Sequence, residues 1–409
     1  MKPVDAKKAA SDLDDSTKLI LDIRQDVDAG KITIDKPSAL RASKAVDQLR
    51  GHLQEWFDFF NAYDPLFTWW ESEPYGKSTV ALKDITLLIR KKLVGITPGS
   101  EEDAIVGEPI GREDLLTDLK AEKIPYTPEE LMSTGEAEYT WCEAEIIKAS
   151  TELGYGVDWR QALEYVKTLH VEPGKQPHLV HELALEAIEY VTKTHDLVTV
   201  PPVAAETWRT VMMPPGRQKQ APFFLGEEKI MVSYPTADMP HESKHRVYRK
   251  LFHTPFWTEG GALYWELILW DKGFPVTPEN KIGMLFWRMH RCVRIIFSLK
   301  FHLGLMSAQE CVDILVERVG HEKATAEGEV RRSLGGDYTP LYQAGYMLGA
   351  LQLYALRKEV VDTGKMKEKE FHDRIMRENS MPIELLRALV RELPLERDYE
   401  AAWRFYQGM

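Results

Sequence analysis

The sequence lacks the features that mark secreted, zinc-ribbon and membrane-spanning chains. Only three cysteines occur in 409 residues, and no two of them have CxxC spacing, which argues against a disulfide framework and favours a reducing compartment. The N-terminus is charged and has no apolar signal region. No run of 18 apolar residues is present, and the most apolar stretch, 292–306, still contains Arg294, Lys300 and His302. The sequence therefore predicts a cytoplasmic protein.

Basic charge is also scarce. There are 52 lysines and arginines against 64 aspartates and glutamates, and the formal net charge is −12. A field of that sign repels phosphate backbones and anionic lipid surfaces. We therefore expect neither nucleic acid nor a membrane as a partner, and the sequence leaves the oligomeric state open.

What the sequence does contain is helical periodicity. Apolar residues at three- and four-residue intervals predict an amphipathic helix over 38–63, with Ser38 as its N-cap and Pro65 ending the run. Further helices are predicted over 79–94, 127–153, 158–168 and 177–194. Helix starts are also predicted at Thr277, Ser307 and Pro382. The fold class is mostly α, a large multi-helix domain with at most one or two short strands.

A proline-rich segment interrupts this pattern. Seven prolines between residues 200 and 240 exclude a long helix there, and residues 230–234 read as a short strand. The predicted organisation is an N-terminal helical lobe over 1–199, a connector over 200–240, and a C-terminal helical lobe over 241–409.

The sharpest local motif is H-E-x-x-H at His241, Glu242 and His245. On a helix this spacing places two imidazoles one turn apart, suited to zinc, with the glutamate free to activate water. Glu259 and Glu266 are candidates for the remaining ligand. The alternative is a solvated first helical turn with two ordinary histidines, which the polar Ser243 and Lys244 favour.

Two further groups could line a pocket. Arg291 and His302 are eleven residues apart and share a helix face, so they could hold a substrate carboxylate or pair with Glu259, Glu266 or Glu329. Tyr342 and Tyr346 lie one turn apart and could stabilise an oxyanion, or their hydroxyls could be tied to a neighbouring helix. Gly345 and Gly349 have the same spacing and predict a close contact between helices.

Several ordered motifs resemble the domain-of-unknown-function-885 family. They are E-G-G-A-L-Y-W-E at 259–266, the helix at 291–302, the pair at 331–332, the segment 340–349, F-H-D at 371–373 and Pro382. The segments 224–226 and 232–236 resemble its fungal branch, whose members often carry the label X-Pro dipeptidyl-peptidase. The resemblance implies a helical, gluzincin-like zinc peptidase, with Glu259 at the carboxylate-ligand position and Arg291, His302 and Tyr346 lining the pocket.

The departures from that family decide the functional prediction. Its members carry a block resembling H-E-x-x-P-G-H-H, which supplies the zinc histidines and the general-base glutamate, and this sequence has no such block. The residues at 241–245 then read as a junction across a missing segment. Gly261 also replaces the family's tryptophan.

Three hypotheses follow from these observations. The preferred one is a truncated or degenerate relative that is catalytically impaired and binds no zinc, although the family uses it. The second is an active zinc-dependent hydrolase in which His241 and His245 bind the metal and Glu242 is the base. The third is a non-catalytic helical binding protein. A peptide or small molecule is the possible substrate, whereas the third hypothesis predicts a stoichiometric binding partner and no hydrolase activity.

Overall fold

The fold is described from a computed structural model that places residues 4–96, 105–202, 254–335, 338–378 and 380–406. Fourteen α-helices occur in this part of the chain, over Ala6–Asp28 (α1), Lys36–Phe60 (α2), Pro65–Ile89 (α3), Gly111–Ala121 (α4), Pro128–Glu152 (α5), Trp159–Lys167 (α6), Gln176–Glu189 (α7), Pro255–Asp271 (α8), Pro278–His302 (α9), Ala308–Ile314 (α10), Lys323–Leu334 (α11), Tyr342–Arg357 (α12), Glu368–Arg377 (α13) and Ile383–Arg391 (α14). No strand occurs in these ranges. The mostly α prediction is confirmed.

The chain divides into two units, Met1–Glu108 and Pro109–Met409. The connector predicted over 200–240 falls almost wholly outside the described residues, as do the predicted strand at 230–234 and the motif at 241–245. These sequence predictions stay predictions. None of the helices placed by the structure is long and apolar enough to cross a lipid bilayer.

The first unit consists of α1, α2 and α3. One buried cluster joins Ala6, Phe57 and Phe67, and a second joins Ala39 to Ile85 and Ile89. The start of α1 therefore meets the end of α2 and the start of α3, so α1 and α3 run parallel and α2 runs antiparallel to both.

Glu71 is an exception in this apolar interior. Its side chain lies on the buried face of α3, and neither carboxyl oxygen has a hydrogen-bond partner among the described residues. Burial raises the pKa of Glu71 to about 7, and the charges of nearby aspartates on α1 add to this effect. The carboxyl group is therefore half protonated near neutral pH.

Two of the predicted boundaries were wrong. Helix α2 begins at Lys36 because Asp35, not Ser38, is the N-cap and accepts a hydrogen bond from the Ser38 amide at 2.8 Å. Helix α3 begins at Pro65 instead of residue 79, because Asp64 caps it and Pro74 is accommodated inside it. Pro65 thus occupies the first turn of a new helix, where its missing N–H costs nothing.

The remaining cap predictions are confirmed. Thr127 and Ser307 form capping boxes with Glu130 and Glu310, and Thr277 accepts a hydrogen bond from the Asn280 amide. Pro382 directly precedes α14. These caps fix where α5, α9, α10 and α14 of the second unit begin.

Helix α9 is the central element of the second unit. It packs against α5 on one side and α12 on another, while α12 also packs along α8. Fifteen of its residues are buried, and they include Arg288, His290, Arg294 and His302. Charged side chains therefore enter the interior from α9 itself.

A glycine contact brings α8 and α12 together. A Cβ atom built on Gly349 would lie 2.1 Å from the carbonyl oxygen of Phe256, and one on Gly260 would lie 2.6 Å from the Cα of Gly349. Gly345 sits against Pro255 in the same way. The predicted close contact at Gly345 and Gly349 is confirmed, and it allows side chains of α12 to reach those of α8.

Candidate functional site

Glu259 is the first member of the site. Thr254 caps α8 by accepting a hydrogen bond from the Phe256 amide and so fixes the start of the helix, one turn before Glu259. The Tyr342 hydroxyl donates a hydrogen bond to Glu259 Oε1 at 2.5 Å. This bond crosses from α12 to α8, which are close because of the glycine contact.

The hydroxyls of Tyr342 and Tyr346 form a chain with a defined direction. They lie 3.1 Å apart. Because the single proton of Tyr342 is donated to Glu259, Tyr346 must be the donor between the two tyrosines. Burial raises the pKa of both phenols above the ordinary value, so both keep their protons. Neither proton remains available for an oxyanion, and the proposed oxyanion role of these hydroxyls does not fit the geometry.

A closed set of ion pairs and rings surrounds Tyr346. Glu329 of α11 is buried and binds Arg294 at 2.5 Å and Arg332 at 3.1 Å. Arg294 in turn stacks over the ring of Tyr346, 4.6 Å from its centroid. One carboxylate therefore holds two guanidinium groups in place.

Tyr338 completes this arrangement. Its hydroxyl accepts a hydrogen bond from Arg332 at 3.3 Å, and its ring stacks on Tyr342 with 4.1 Å between centroids. Arg294, Glu329, Arg332, Tyr338, Tyr342 and Tyr346 thus form a closed ring of contacts, called here the tyrosine–arginine ring.

Arg291 lies beside the tyrosine–arginine ring, and its Nη1 donates a hydrogen bond to the Trp287 carbonyl at 3.4 Å. No carboxylate lies within 4 Å of its guanidinium in the part of the chain that the structure places, and its Nε is buried without a hydrogen bond. Its guanidinium lies 5.7 Å from the centroid of Tyr346 and 5.1 Å from that of Trp287. Burial lowers the pKa of Arg291, and the charge of Glu266 opposes that effect.

Glu266 is close enough to the arginines of α9 for their charges to act on it. Burial raises its pKa, while Arg291 and then Arg288 pull it down. Glu266 and Arg288 line a small cavity of about 10 Å³, together with Leu263, Leu267, Trp270, Met284 and Leu285. That is the room one water molecule needs, so water is a ready bridge between these charges.

A buried histidine pair lies behind Glu329. His290 Nδ1 and His321 Nε2 are 2.8 Å apart, and His290 Nε2 lies 3.9 Å from Glu329 Oε1. Burial lowers the pKa of His321 to about 4 and also lowers that of His290. Both imidazoles are therefore neutral at pH 7 and pack against the charged ring without adding to its charge.

His302 does not join this group. Eleven residues of helix separate it from Arg291, which is about 16 Å along the axis. Burial alone lowers the pKa of His302 to about 4, and its Nδ1 has no partner within the described ranges. His302 therefore does not line a pocket together with the side chains around Tyr346, as the sequence predicted that it would.

The predicted zinc ligands are only partly placed by the structure. His241, Glu242 and His245 lie outside the described residues. Glu259 accepts a hydrogen bond from Tyr342, and Glu266 faces α9. The two glutamates are about 10 Å apart along the axis of α8. In the part of the chain that is placed, no three His, Cys, Asp or Glu side chains come together as metal ligands.

His372 is a structural histidine. Its Nδ1 donates to the Leu197 carbonyl at 2.8 Å, so Nε2 is the acceptor for the Tyr264 hydroxyl at 2.7 Å. Asp373 accepts hydrogen bonds from the amide and hydroxyl of Thr199. The F-H-D segment therefore ties α13 to α8 and to residues 197–199.

Sequence reasoning missed Arg294 and His321 as members of the site, and it named Glu329 only as a possible partner of Arg291 or His302. Glu329 and Arg332 have the i, i+3 spacing of a helical ion pair, which is a readable signal. The contact of Glu329 with Arg294 spans 35 residues and depends on how α9 and α11 pack, so no local pattern reveals it.

What the site can do follows from these groups. Arg291 offers a cation that has no ion pair within the described residues, Glu259 offers an acceptor, and the tyrosine–arginine ring holds the surrounding side chains in place. A half-buried guanidinium without a carboxylate among the described residues favours an anionic ligand, because a partly desolvated charge gains from a charge-assisted hydrogen bond.

Solved structures of other proteins share this fold. The fold is similar to two solved structures, one from Shewanella oneidensis and one from Colwellia psychrerythraea, each described as a "putative lipoprotein" and the first as "of unknown function". The first has a TM-score of 0.62 at 16% identity, covering 91% of this chain and 77% of that one. The second has a TM-score of 0.60 at 17% identity, covering 95% and 77%.

No curated protein matches the chain. Residues 237–390 match the family model described as "Bacterial protein of unknown function (DUF885)". These residues contain Glu259, Arg291, Tyr346 and all the other members of the tyrosine–arginine ring. The match supports the assignment of this part of the chain to the DUF885 family.

Proposed function

We propose that the chain is a catalytically impaired relative of a helical zinc-metallopeptidase-like family, whose remaining pocket binds the carboxylate of a peptide or other small molecule. The observation that carries this proposal is the guanidinium of Arg291 next to the ring of Tyr346, which has no carboxylate within 4 Å among the residues that the structure places. The family resemblance supplies the peptide as the ligand class.

The rigidity around Arg291 supports a binding role. Arg294 and Arg332 share Glu329, so each already has a carboxylate partner, although the one carboxylate offsets only one of the two positive charges. Arg291 is left as the guanidinium that gains most from an incoming carboxylate, because charge-assisted hydrogen bonds are the strong ones. A carboxylate at this position would also satisfy the buried Nε.

The loss of metal chemistry is the second part of the proposal. Its support is the missing H-E-x-x-P-G-H-H block together with the present partner of Glu259, the Tyr342 hydroxyl. A zinc ligand in that position would have to give up or share this short hydrogen bond.

Binding of N-acetyl-dialanine and of its C-terminal amide, measured by isothermal titration calorimetry, tests the carboxylate role. We expect the acid to bind about ten-fold or more tightly than the amide, and Arg291→Gln to remove the difference. Arg318→Gln is the matched control, because its guanidinium is already paired with Glu136. Equal binding of acid and amide by the parent protein would contradict the proposal.

Zinc content after incubation with zinc and desalting tests the metal part separately. We expect no stoichiometric zinc in the folded protein. About one zinc per chain, lost in His241→Ala, would instead support an active metal site. Chelator-sensitive peptide hydrolysis that Glu242→Ala abolishes would establish the alternative hydrolase.

A further inference from the structure

The first unit exposes an unusual group of apolar side chains where α2 turns into α3. Tyr63 is 84% exposed, Trp69 80%, Leu66 68% and Phe59 59%. Leu66, Trp69 and Trp70 share one face of α3, since they differ by about 100° or less around the helix. This aromatic end, defined by Phe59, Tyr63, Leu66, Trp69 and Trp70, is the kind of surface that marks a protein interaction site.

The segment that carries the aromatic end is acidic, and one of its carboxylates, Glu73, already pairs with Lys77 at 2.8 Å. No lysine or arginine occurs from residue 51 to residue 76, while five acidic residues do. Of these, Glu55, Asp58 and Glu73 are exposed. A surface of this charge repels nucleic acid and anionic lipid and attracts basic side chains.

One contact within the unit already shows how a cation is accepted here. The Lys7 ammonium of α1 lies over the ring of Trp70, 5.6 Å from its centroid. Trp69 is the next residue, is twice as exposed as Trp70, and has no cation over its ring in the described part of the chain. An exposed indole in an acidic surrounding favours a lysine or arginine from another molecule.

We propose that the aromatic end binds a partner protein through a segment in which lysine or arginine side chains alternate with apolar ones. The apolar side chains cover Phe59, Leu66 and Tyr63, and the basic side chains stack on Trp69 and pair with the surrounding carboxylates. Both kinds of contact are needed, because exposed ion pairs alone contribute little. This inference concerns the first unit and does not depend on the proposed carboxylate site.

Fluorescence anisotropy of a labelled amphipathic peptide built from lysine and leucine, titrated with the full chain, tests the proposal. The same peptide with glutamate in place of lysine is the charge control. We expect the lysine peptide to bind and the glutamate peptide not to bind. Tyr63→Ser and Trp69→Ser should each weaken binding about ten-fold, as expected for aromatic anchors.

Val80→Ser is the matched control variant. Val80 is also an exposed apolar residue of α3, at 60%, but it lies three turns beyond the aromatic end. An equal loss of binding in Val80→Ser, or no loss in Trp69→Ser, overturns the proposal. Tighter binding of the glutamate peptide, or binding to phosphatidylcholine vesicles without the lysine peptide, overturns it as well. Thermal unfolding of each variant, followed by circular dichroism, shows whether weaker binding comes from a lost contact or from a lost fold.

Discussion

The contact between α8 and α12 makes a sharp prediction about two adjacent glycines. Gly260 and Gly261 lie in the same helix and differ only in what surrounds them. A Cβ on Gly260 would lie 2.6 Å from the Cα of Gly349, whereas a Cβ on Gly261 would meet nothing within 4 Å. We therefore expect Gly260→Ala to destabilise the protein and Gly261→Ala to stabilise it.

The magnitudes follow from the geometry. An ordinary carbon contact is near 3.5–4.0 Å, so Gly260→Ala forces the two backbones apart by roughly 1 Å. Overpacking of this kind costs about 1–3 kcal/mol of unfolding free energy or more. Gly261→Ala has no such clash, and replacing glycine in a helix interior gains about 1 kcal/mol.

Urea unfolding followed by circular dichroism measures both variants against the parent protein. We expect the midpoints to move in opposite directions, with thermal midpoints shifting by about 2–4 °C for each kcal/mol. If Gly260→Ala proves as stable as Gly261→Ala, the close helix contact does not exist as described. The position of Glu259 next to Tyr342 would then need another explanation.

Further predictions concern buried polar groups. Glu329→Gln should reduce the unfolding free energy by about 3–5 kcal/mol, because Arg294 loses its buried partner, and urea unfolding checks this. Tyr264→Phe should cost about 1–3 kcal/mol, since it leaves Nε2 of His372 unsatisfied, which the same assay checks. Burial raises the pKa of Glu71 to about 7 from an ordinary 4.5, so its carboxyl group favours folding below about pH 4.5 and loses that contribution as the pH rises through 7. Glu71→Gln should therefore gain stability over the parent protein between pH 5 and pH 8, by on the order of 1 kcal/mol; a difference that does not change with pH would contradict this.

Much of the helical framework was predictable from the sequence because its signals are local. Thr127, Thr277 and Ser307 each cap a helix through bonds to residues three positions away, and such bonds leave a sequence pattern. The start of α3 was missed because Pro74 lies inside the helix, where proline is costly and normally marks an end. Packing against α1 and α2 compensates for the missing backbone bond, and no local pattern records packing.

The candidate site was only partly predictable for a related reason. The spacing of Gly345 and Gly349 predicted the close contact between two helices. The spacing of Tyr342 and Tyr346 predicted that both side chains lie on one helix face. The same kind of argument grouped Arg291 with His302 because both lie at a similar angle around the helix. It did not take into account that they are about 16 Å apart along the helix axis. The pairing of Arg294 with Glu329 depends on two helices meeting, which a single sequence does not encode locally.

The direction of the hydroxyl chain has a consequence for ligand choice. Tyr346 gives its proton to Tyr342, and Tyr342 gives its proton to Glu259. The Tyr346 oxygen can therefore meet a ligand only as an acceptor, while Arg291 beside it acts only as a donor. A ligand that satisfies both presents an N–H or O–H close to its carboxylate, as the terminal residue of a peptide does and a simple fatty acid does not.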